Sequence, residues 1–304
     1  MDFIVKIIKV VNLRVFTGFI SLIVALLILD VQAKSLTLQL GVYDEHQEML
    51  SVYLGENQRC PSIHVVDKVL NNELLLELAI LCEALRLGGI EASLALKPYP
   101  LAARMLMDMK AGKLLMTGFA FWSRYEHEDL YRSAPILKAN TYAKGLYSLS
   151  DHPLLQSTAL GKPGDISGVL SRYVAVSNHT WDVDQEQLAC LSVPSLSILG
   201  YEDMFHSLKE SRADFMLLPF SVAPELRHQR YGLNLQPVAG VKVVFNDSRH
   251  FFVSQHHSDG ADVLTALDLG LKRLIEDGTI ERLYKNVGQF NPQVEHWQAV
   301  GCGR

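Results

Sequence analysis

The sequence predicts an α/β protein built from two lobes. Residues 34–122 and 171–220 each alternate strand patterns with helix patterns, an order typical of parallel sheets covered by helices. Each stretch is too short to be the whole protein, so we expect two lobes of similar design. Two extended, β-rich segments, 131–150 and 241–255, follow the first and the second unit. If both cross between the lobes, they form a two-strand hinge with a cleft beneath it.

The first unit reads strand, helix, strand, helix, strand. The acidic "DEHQE" that follows its first strand is interpreted as a loop. The helices are recognised by apolar residues at helical spacing, with Asn or Pro at their starts and Gly at their ends. The segments are "SLTLQLGVY" (35–43), "NNELLLELAILCEALRLGG" (71–89), "EASLALKPY" (91–99), "PLAARMLMDMKAGK" (100–113) and "LLMTGFAF" (114–121).

The second unit repeats this order, and two helices follow it near the C-terminus. The second unit comprises "SRYVAVSNHTW" (171–181), "DVDQEQLACL" (182–191), "SVPSLSIL" (192–199), "YEDMFHSLKES" (201–211) and "RADFMLLPF" (212–220). Residues 261–288 predict two helices that break at Asp277-Gly278. These helices are expected to return to the sheet of the first lobe.

The N-terminus has the pattern of a secretory signal peptide. Three basic residues precede fifteen uncharged residues at 15–29, and "VQA" at 31–33 is a small-residue cleavage site. The apolar run is short for a bilayer span, which needs about 20 residues. Residues 1–33 are therefore predicted to be removed on export. The alternative is an uncleaved N-terminal anchor.

Composition and motifs argue against several functional classes. Lys and Arg number 28 against 33 Asp and Glu, a net charge of −5, and no basic patch suggests a nucleic-acid partner. The four cysteines show no metal-ligand spacing. Gly-x-Ser-x-Gly, His-Glu-x-x-His and a glycine-rich phosphate loop are all missing. We therefore expect neither a cofactor nor a metal.

Three segments in order resemble one known family. They are "LAARMLMDMKAGKLLMTG" (101–118), "RYEHEDLYRSAPIL" (124–137), and the strand and helices from "HFFVSQ" to "YKNVG" (250–288). Behind a signal peptide, this order is similar to that of bacterial extracellular solute-binding proteins of the polar amino-acid uptake type. That family has the type II periplasmic binding protein fold, and the resemblance covers essentially all of the chain after residue 33.

The resemblance implies a domain division and a function. Residues 34–138 and 250–304 would form the first lobe, and residues 139–249 the second. A small polar or anionic solute would bind between the lobes and be delivered to a membrane ABC permease. The alternative is a ligand-sensing receptor of the same fold that acts on a membrane signalling partner. An enzyme resembling cyclohexadienyl dehydratase is a third reading, but no acid/base pair stands in a recognisable motif.

Candidate ligand-binding residues follow the strands of the first unit. The resemblance implies an arginine that grips a ligand carboxylate with its bidentate guanidinium, and Arg124 is the candidate, with Glu126 nearer to the family's spacing. A surface ion pair of Arg124 with Glu126 or Glu128 is the alternative. Trp122, at the loop edge, and Tyr43, after the first strand, are candidate aromatic contacts.

The turn "SNHTWDVD" (177–184) carries the candidates of the second lobe, Asn178, Thr180 and Trp181. Backbone N–H groups at the start of a helix attract anions, and the resemblance implies that this turn receives a ligand carboxylate. Plain N-capping by Thr180 or Asp182 is the alternative and does not exclude ligand contact.

One position departs from the family pattern. The resemblance implies an aspartate about five residues after Asp214 that pairs with a ligand ammonium group, and Pro219 stands there instead. Proline offers neither charge nor N–H. The sequence therefore predicts a preference for anionic or neutral solutes over zwitterionic α-amino acids.

Four cysteines allow three complete pairings. Cys190 is predicted to be unpaired, because it is the only cysteine of the second lobe and a bond from it would tie the lobes together. Cys82 lies in an apolar run and is predicted to be a buried thiol. Cys60 and Cys302 remain as the predicted pair.

Overall fold

The computed structural model describes residues 34–60, 63, 72–156 and 166–302. The predicted signal peptide, residues 1–33, lies outside the described residues. Within the described ranges, no helix is both long enough and apolar enough to span a bilayer.

Eight helices and fifteen strands are described. The helices are α1 (Asp44–Leu54), α2 (Glu73–Leu87), α3 (Ala102–Lys110), α4 (Ile166–Leu170), α5 (Asp182–Cys190), α6 (Tyr201–Lys209), α7 (Gly260–Glu276) and α8 (Thr279–Asn286). The strands are β1 (Lys34–Tyr43), β2 (Ile90–Tyr99), β3 (Met116–Thr117), β4 (Phe121–Trp122), β5 (Leu130–Arg132), β6 (Ala143–Leu149), β7 (Ala175–Asn178), β8 (Ser195–Ile198), β9 (Phe215–Pro219), β10 (His228–Arg230), β11 (Leu233–Pro237), β12 (Val241–Val244), β13 (Arg249–His250), β14 (Phe252–Ser254) and β15 (Gln298–Val300).

The first sheet has the strand order β2-β1-β3-β14-β5. β1 runs parallel to β3, and β14 runs antiparallel to both β3 and β5. Alternate β1 side chains, Leu38, Leu40 and Val42, are fully buried, as the period-two pattern predicted. The first sheet therefore combines β1, β2, β3 and β5 from the N-terminal part of the chain with β14, which returns to it much later.

Helices α2 and α7 pack closely and contact each other through small residues. A Cβ atom at Gly270 of α7 would lie 1.8 Å from the carbonyl oxygen of Ala84 in α2. After α7 the chain turns at Gly278, whose φ of 74° is left-handed, and α8 begins at the next residue. The predicted pair of C-terminal helices and its break at Gly278 are confirmed, and α7 also contacts β14 and β5 of the first sheet.

The second sheet has the strand order β10-β11-β6-β9-β7-β8, with β12 paired to β6 and to β15. β7 is parallel to β8 and β9, as expected of strands joined through helices. β6 is antiparallel to β9 and β12. This sheet therefore contains the strands predicted in the second α/β unit together with parts of both extended segments.

The last strand, β15, pairs in parallel with β12 of the second sheet. Residues 298–302 therefore lie beside the second sheet, although the sequence placed them in the first lobe. Disulfides join Cys190 to Cys302 and Cys60 to Cys82, with Cα atoms 5.2 and 5.3 Å apart. The predicted Cys60–Cys302 pair, the unpaired Cys190 and the free thiol at Cys82 are wrong. Because Cys302 returns to the side of Cys190, their bond does not join the two sheets.

Two local predictions also need correction. The predicted acidic loop after β1 is the first turn of α1, where Asp44 and Glu45 suit the positive end of a helix. The predicted strand 114–121 is interrupted between β3 and β4, where the Thr117 hydroxyl donates a hydrogen bond of 2.6 Å to the Phe119 carbonyl.

β4 and β13 form a separate two-stranded antiparallel ribbon, in which Trp122 faces Arg249 and Phe121 faces His250. The Ser123 N–H extends the ribbon by donating to the Ser248 carbonyl at 2.8 Å. The second extended segment is thereby fixed beside the end of β4, next to the candidate residues that follow β4.

Candidate functional site

Side chains that follow β1, β4 and β7 come together in one region. Tyr43 ends β1, Tyr125 closes the 3₁₀ turn after β4, and Asp182 begins α5 after β7. Asp182 hydrogen-bonds with the Tyr125 side chain and acts electrostatically on Tyr43. We call the region defined by Tyr43, Arg124, Tyr125, Asp182 and Glu186 the interlobe site. It combines the first sheet, the β4–β13 ribbon and the helix that follows β7 of the second sheet.

The two tyrosines of the interlobe site are uncharged. Burial raises the pKa of Tyr43 to about 12, with Arg249 opposing the rise. Burial also raises the pKa of Tyr125, and its hydrogen bond to Asp182 adds to the effect. Tyr43 stacks on the buried Phe119 with ring centroids 4.9 Å apart. Both hydroxyls therefore remain protonated at neutral pH, and the Tyr43 ring is held in place by the core.

Arg124 bridges the ribbon and α5. Its Nη1 lies 2.5 Å from Glu186 Oε2, and its Nε lies 3.2 Å from Asp247 Oδ2. The Arg124 side chain is 30% exposed. The predicted alternative, a surface pair with Glu126 or Glu128, is not the pairing found. Arg124 instead contacts two carboxylates that are distant in sequence, one of them on the helix beside the second sheet.

Asp247 positions Arg124 from the segment between β12 and β13. Its carboxylate accepts hydrogen bonds from the Ser123 hydroxyl, from the Ser248 N–H at 2.8 Å and from Arg124 Nε. Burial acts to raise the pKa of Asp247, but these hydrogen bonds outweigh it and hold the pKa below its ordinary value. Asp247 is therefore an ionised anchor that keeps the guanidinium of Arg124 on the ribbon.

Trp122 lies in an aromatic cluster where the two extended segments meet. Its ring stacks on Phe245 at 5.5 Å and meets Tyr142 edge-on at 5.3 Å. The guanidinium carbon of Arg249 lies 5.2 Å from the centroid of the Trp122 ring. Trp122 is partly buried. Trp122 therefore stabilises the place where the two extended segments cross, and its contact with a ligand stays a prediction.

Arg249 is the centre of a buried ionic network that sequence reasoning missed. Its Nη1 lies 2.5 Å from Glu73 Oε1, and its Nη2 lies 2.9 Å from Glu77 Oε1. Glu77, which is fully buried, also accepts hydrogen bonds from the Ala120 N–H at 2.9 Å and the Tyr284 hydroxyl at 2.8 Å. The charged Glu77 inside the apolar run "LELAILCEAL" was the available signal, because such a group requires an internal partner.

The ionisation of Glu77 makes stability depend on pH. Burial raises its pKa from 4.5 to about 7, while Arg249 opposes the rise and Glu73 adds to it. Between these values the folded state binds more protons at this site than the unfolded state. The stability that this site contributes is therefore complete below about pH 4.5 and is lost as the pH rises through about 7.

We therefore predict that Glu77→Gln changes the pH dependence of unfolding. Relative to the variant, wild-type protein should lose roughly 3 kcal/mol of unfolding free energy between about pH 4.5 and 7.5, because one pKa unit corresponds to about 1.4 kcal/mol. Urea unfolding at a series of pH values measures the difference. Glu281→Gln, at an exposed position of α8, is the matched control and should leave the profile unchanged. Parallel profiles for wild type and Glu77→Gln would contradict the prediction.

In the second lobe, Asn178 organises the turn before α5. Its Oδ1 accepts from the Thr180 N–H at 2.9 Å and from the Thr180 hydroxyl at 2.8 Å. Its Nδ2 donates to the Leu199 carbonyl at 2.7 Å. The Val183 N–H at the start of α5 donates to Asp182 Oδ1 at 2.9 Å. Several donors at this predicted anion site are thus used by the turn's own oxygens in this conformation.

Lys144 places an ammonium group beside Trp181. Its Nζ lies 2.9 and 2.7 Å from the two carboxylate oxygens of Asp184, and both side chains are buried. The same Nζ lies 4.9 Å from the Trp181 ring and 5.5 Å from the Phe245 ring. In the sheet, Lys144 pairs with Pro219, the position at which the sequence lacks an ammonium partner. The chain therefore holds an ammonium group of its own in this region.

The predicted site residues are brought together only in part. Tyr43 and Arg124 belong to the interlobe site, Trp122 lies beside it, and Trp181 immediately precedes Asp182. Glu126 is exposed and pairs with Arg132 at 2.5 Å. Sequence reasoning missed a further set of polar and charged residues: Tyr125, Lys144, Asp184, Glu186, Asp247 and Arg249. Among the described residues, no group of three or more His, Cys, Asp or Glu side chains could hold a metal ion.

Comparisons with known proteins establish the fold. The chain is similar to the probable amino-acid ABC transporter extracellular-binding protein ytmK of Bacillus subtilis, with 12% identity and a TM-score of 0.52. The match covers 84% of this chain and 100% of that one. The predicted two-lobe α/β fold of the type II periplasmic binding proteins is therefore confirmed.

Two further solved structures match at lower TM-scores. The amino acid ABC transporter substrate-binding protein AbpA of Streptococcus pneumoniae, bound to L-arginine, has 13% identity and a TM-score of 0.49, over 83% of this chain and 94% of that one. The periplasmic VFT2 domain of BvgS from Bordetella pertussis has 11% identity and a TM-score of 0.49, over 82% and 92%. No family model and no curated protein match the chain.

Proposed function

We propose that this protein is a periplasmic solute-binding protein that captures a small polar or anionic solute between its lobes and delivers it to a membrane ABC permease. The observation that carries the proposal is the interlobe site, in which aromatic rings, a guanidinium and tyrosine hydroxyls from different parts of the fold converge. A solute that touches both lobes favours the closed form, because the open form cannot make both sets of contacts. Residues 34–138 with residues 247–287, and residues 139–246 with residues 288–302, are the proposed lobes; Gln289, Val294 and Trp297 contact the second sheet or the cluster packed on it.

The proposed role is binding without catalysis. Each carboxylate near the interlobe site has a structural partner: Glu186 and Asp247 hold Arg124, Asp182 bonds to Tyr125, and Asp184 bonds to Lys144. None of these groups forms a free acid/base pair of the kind that general acid–base catalysis requires. This arrangement supports recognition of a solute by charge and shape.

The proposed solute preference follows from Lys144 and Pro219. The Asp184 carboxylate, the nearby buried group suited to a ligand ammonium, is already occupied by Lys144. Pro219 offers no replacement for it. Arg124, in contrast, could exchange one of its two carboxylates for an anionic group of a solute. We therefore propose that anionic or neutral solutes bind in preference to zwitterionic α-amino acids.

Native mass spectrometry of the freshly purified protein tests the capture of a solute. Wild-type protein is expected to carry a small molecule that dissociates on collisional activation. Arg124→Ala should lose this molecule, because the guanidinium is its proposed partner. Arg132→Ala is the matched control, since Arg132 also forms a 2.5 Å ion pair but outside the interlobe site, and should retain it. A molecule retained equally by both variants would contradict the proposed site.

Thermal unfolding with added amino acids tests the solute preference. We expect no stabilisation by the twenty common amino acids at 1 mM. Ligand at 100 times its Kd stabilises by about 2.7 kcal/mol, so a true ligand would raise Tm by several degrees. Such a rise with an unmodified zwitterionic amino acid would refute the preference and leave the proposal of solute capture intact.

The alternative, a receptor that acts on a membrane signalling partner, uses the same fold and the same site. The two differ in the protein that receives the closed form. Crosslinking in the cell envelope followed by mass spectrometry separates them: a permease supports transport, and a sensor protein supports signalling.

A further inference from the structure

We infer that Glu186 is an internal competitor for the solute site: its carboxylate occupies Arg124 and holds the lobes together without solute, so an anionic solute must displace it. This inference rests on the proposed function for its statement about solutes, but its statement about closure stands on the contacts alone. Glu186 would then determine both which solutes enter and how often the empty protein is closed.

The Arg124–Glu186 contact joins two separately held elements. Arg124 follows β4 of the ribbon and is anchored there by Asp247, which also bonds to Ser123 and Ser248. Glu186 lies on α5, which packs against β7 of the second sheet. Because each partner is fixed to its own element, the 2.5 Å contact exists only while the ribbon and α5 are close. Breaking it frees Glu186 and leaves Arg124 with Asp247.

A second contact runs alongside the first. Asp182 and Glu186 are four residues apart on α5, so they lie on one face of the helix. Their partners Tyr125 and Arg124 are consecutive in the turn after β4, and Asp182 hydrogen-bonds with Tyr125. Two carboxylates on one helix face thus meet two donors on one turn. Tyr125 and Arg124 are groups that could hold a bound anion, but here the carboxylates that they contact belong to the protein.

The charges at and beside the site are also matched within the protein. Glu186 pairs with Arg124, and beside the site Lys144 and Asp184 neutralise each other and leave no single charge for a solute. Entry of an anionic solute therefore requires exchange at Arg124.

Only a small free energy is needed to shift the equilibrium between the closed and open conformations. A partly exposed ion pair changes an equilibrium by at most about fivefold. A change of this size does not unfold the protein, but it measurably changes the ratio of two conformations that differ little in free energy. Removing the pair should therefore change conformation much more visibly than stability.

Small-angle X-ray scattering of protein freed of bound solute by unfolding, dialysis and refolding tests the closure. Wild type at low salt should be a mixture in which closed molecules predominate, with a radius of gyration near that calculated from the closed structure. Glu186→Gln should have a larger radius, corresponding to an approximately fivefold fall in the ratio of closed to open molecules. Arg124→Gln, which removes the other partner, should give the same expansion, and 1 M NaCl should expand wild type but not Glu186→Gln.

Glu126→Gln is the matched control, because it breaks an ion pair of equal length with Arg132 outside the interlobe site. It should leave the radius of gyration unchanged. Refolded wild type that is already open, or equal radii for Glu186→Gln and Glu126→Gln, would overturn the inference. These outcomes are independent of solute binding, so the inference can fail while native mass spectrometry still finds a solute, and it can hold if none is found.

Discussion

Arg249→Met is expected to lower the free energy of unfolding by about 3–5 kcal/mol, the cost of removing one partner from a buried ion pair. The substitution leaves the carboxylates of Glu73 and Glu77 without their shared cation. It also removes the guanidinium from the faces of Trp122 and Tyr142, where it lies 5.2 and 5.8 Å from the ring centroids. Urea unfolding at pH 7.5 measures the loss.

A matched control and a rescue make this prediction specific. Arg86→Met breaks a pair with Glu83 of similar length, but the Arg86 side chain is 52% exposed, so the loss should be at most about 1 kcal/mol. Adding Glu77→Gln to Arg249→Met should restore part of the stability, because the unpaired buried carboxylate is then neutral. If the two substitutions are simply additive, Glu77 does not depend on Arg249 and the proposed network is wrong.

Removal of the Cys190–Cys302 disulfide is expected to have an effect of similar size. The bond closes a loop of 112 residues, and the chain-entropy relation gives a stabilisation of about 5 kcal/mol for such a loop. The Cys60–Cys82 bond, with a separation of 22 residues, gives about 3 kcal/mol. Cys190→Ala/Cys302→Ala should therefore destabilise the protein more than Cys60→Ala/Cys82→Ala.

Denaturant unfolding of the two double variants checks this order. Each variant removes a complete pair, so the remaining cysteines have no new partner. Hydrogen exchange adds a local measurement: loss of Cys190–Cys302 should expose β15, because the bond fixes the residues just after this strand to the end of α5. The reverse order of stabilities, or unchanged protection of β15, would count against the account.

The elements themselves could be predicted from the sequence because their causes are local. The Asn72 side chain caps α2 by accepting from the N–H groups of Leu74 and Leu75, and the capping signal was visible in "NNE". Gly278 breaks the C-terminal helix pair because the turn needs a positive φ. The alternation of buried residues in β1 follows from the period of a strand. Such features depend on neighbours a few residues away.

From the sequence, the candidate site could be located only through the predicted ends of the strands. Residues that follow the strands of an α/β sheet converge at one edge, which is why Tyr43 and Arg124 belong to one region. The partners of Arg124 could not be read in the same way. Glu126 and Glu128 were near in sequence, yet Glu186 and Asp247 are the groups in contact, because the fold brings α5 and the β4–β13 ribbon together.

The sequence by itself determined the α/β class, the order of helices and strands, and the two extended crossings, because periodicity and turn chemistry are written in short stretches. Only the tertiary structure decided the disulfides and the ionic partners. Cys302 reaches Cys190 because β15 returns to β12, a pairing between residues that no short pattern connects. Arg249 reaches Glu73 and Glu77 across more than 170 residues of chain for the same reason. Contacts of this range depend on how the sheets and helices pack, and so they appear only once the chain is folded.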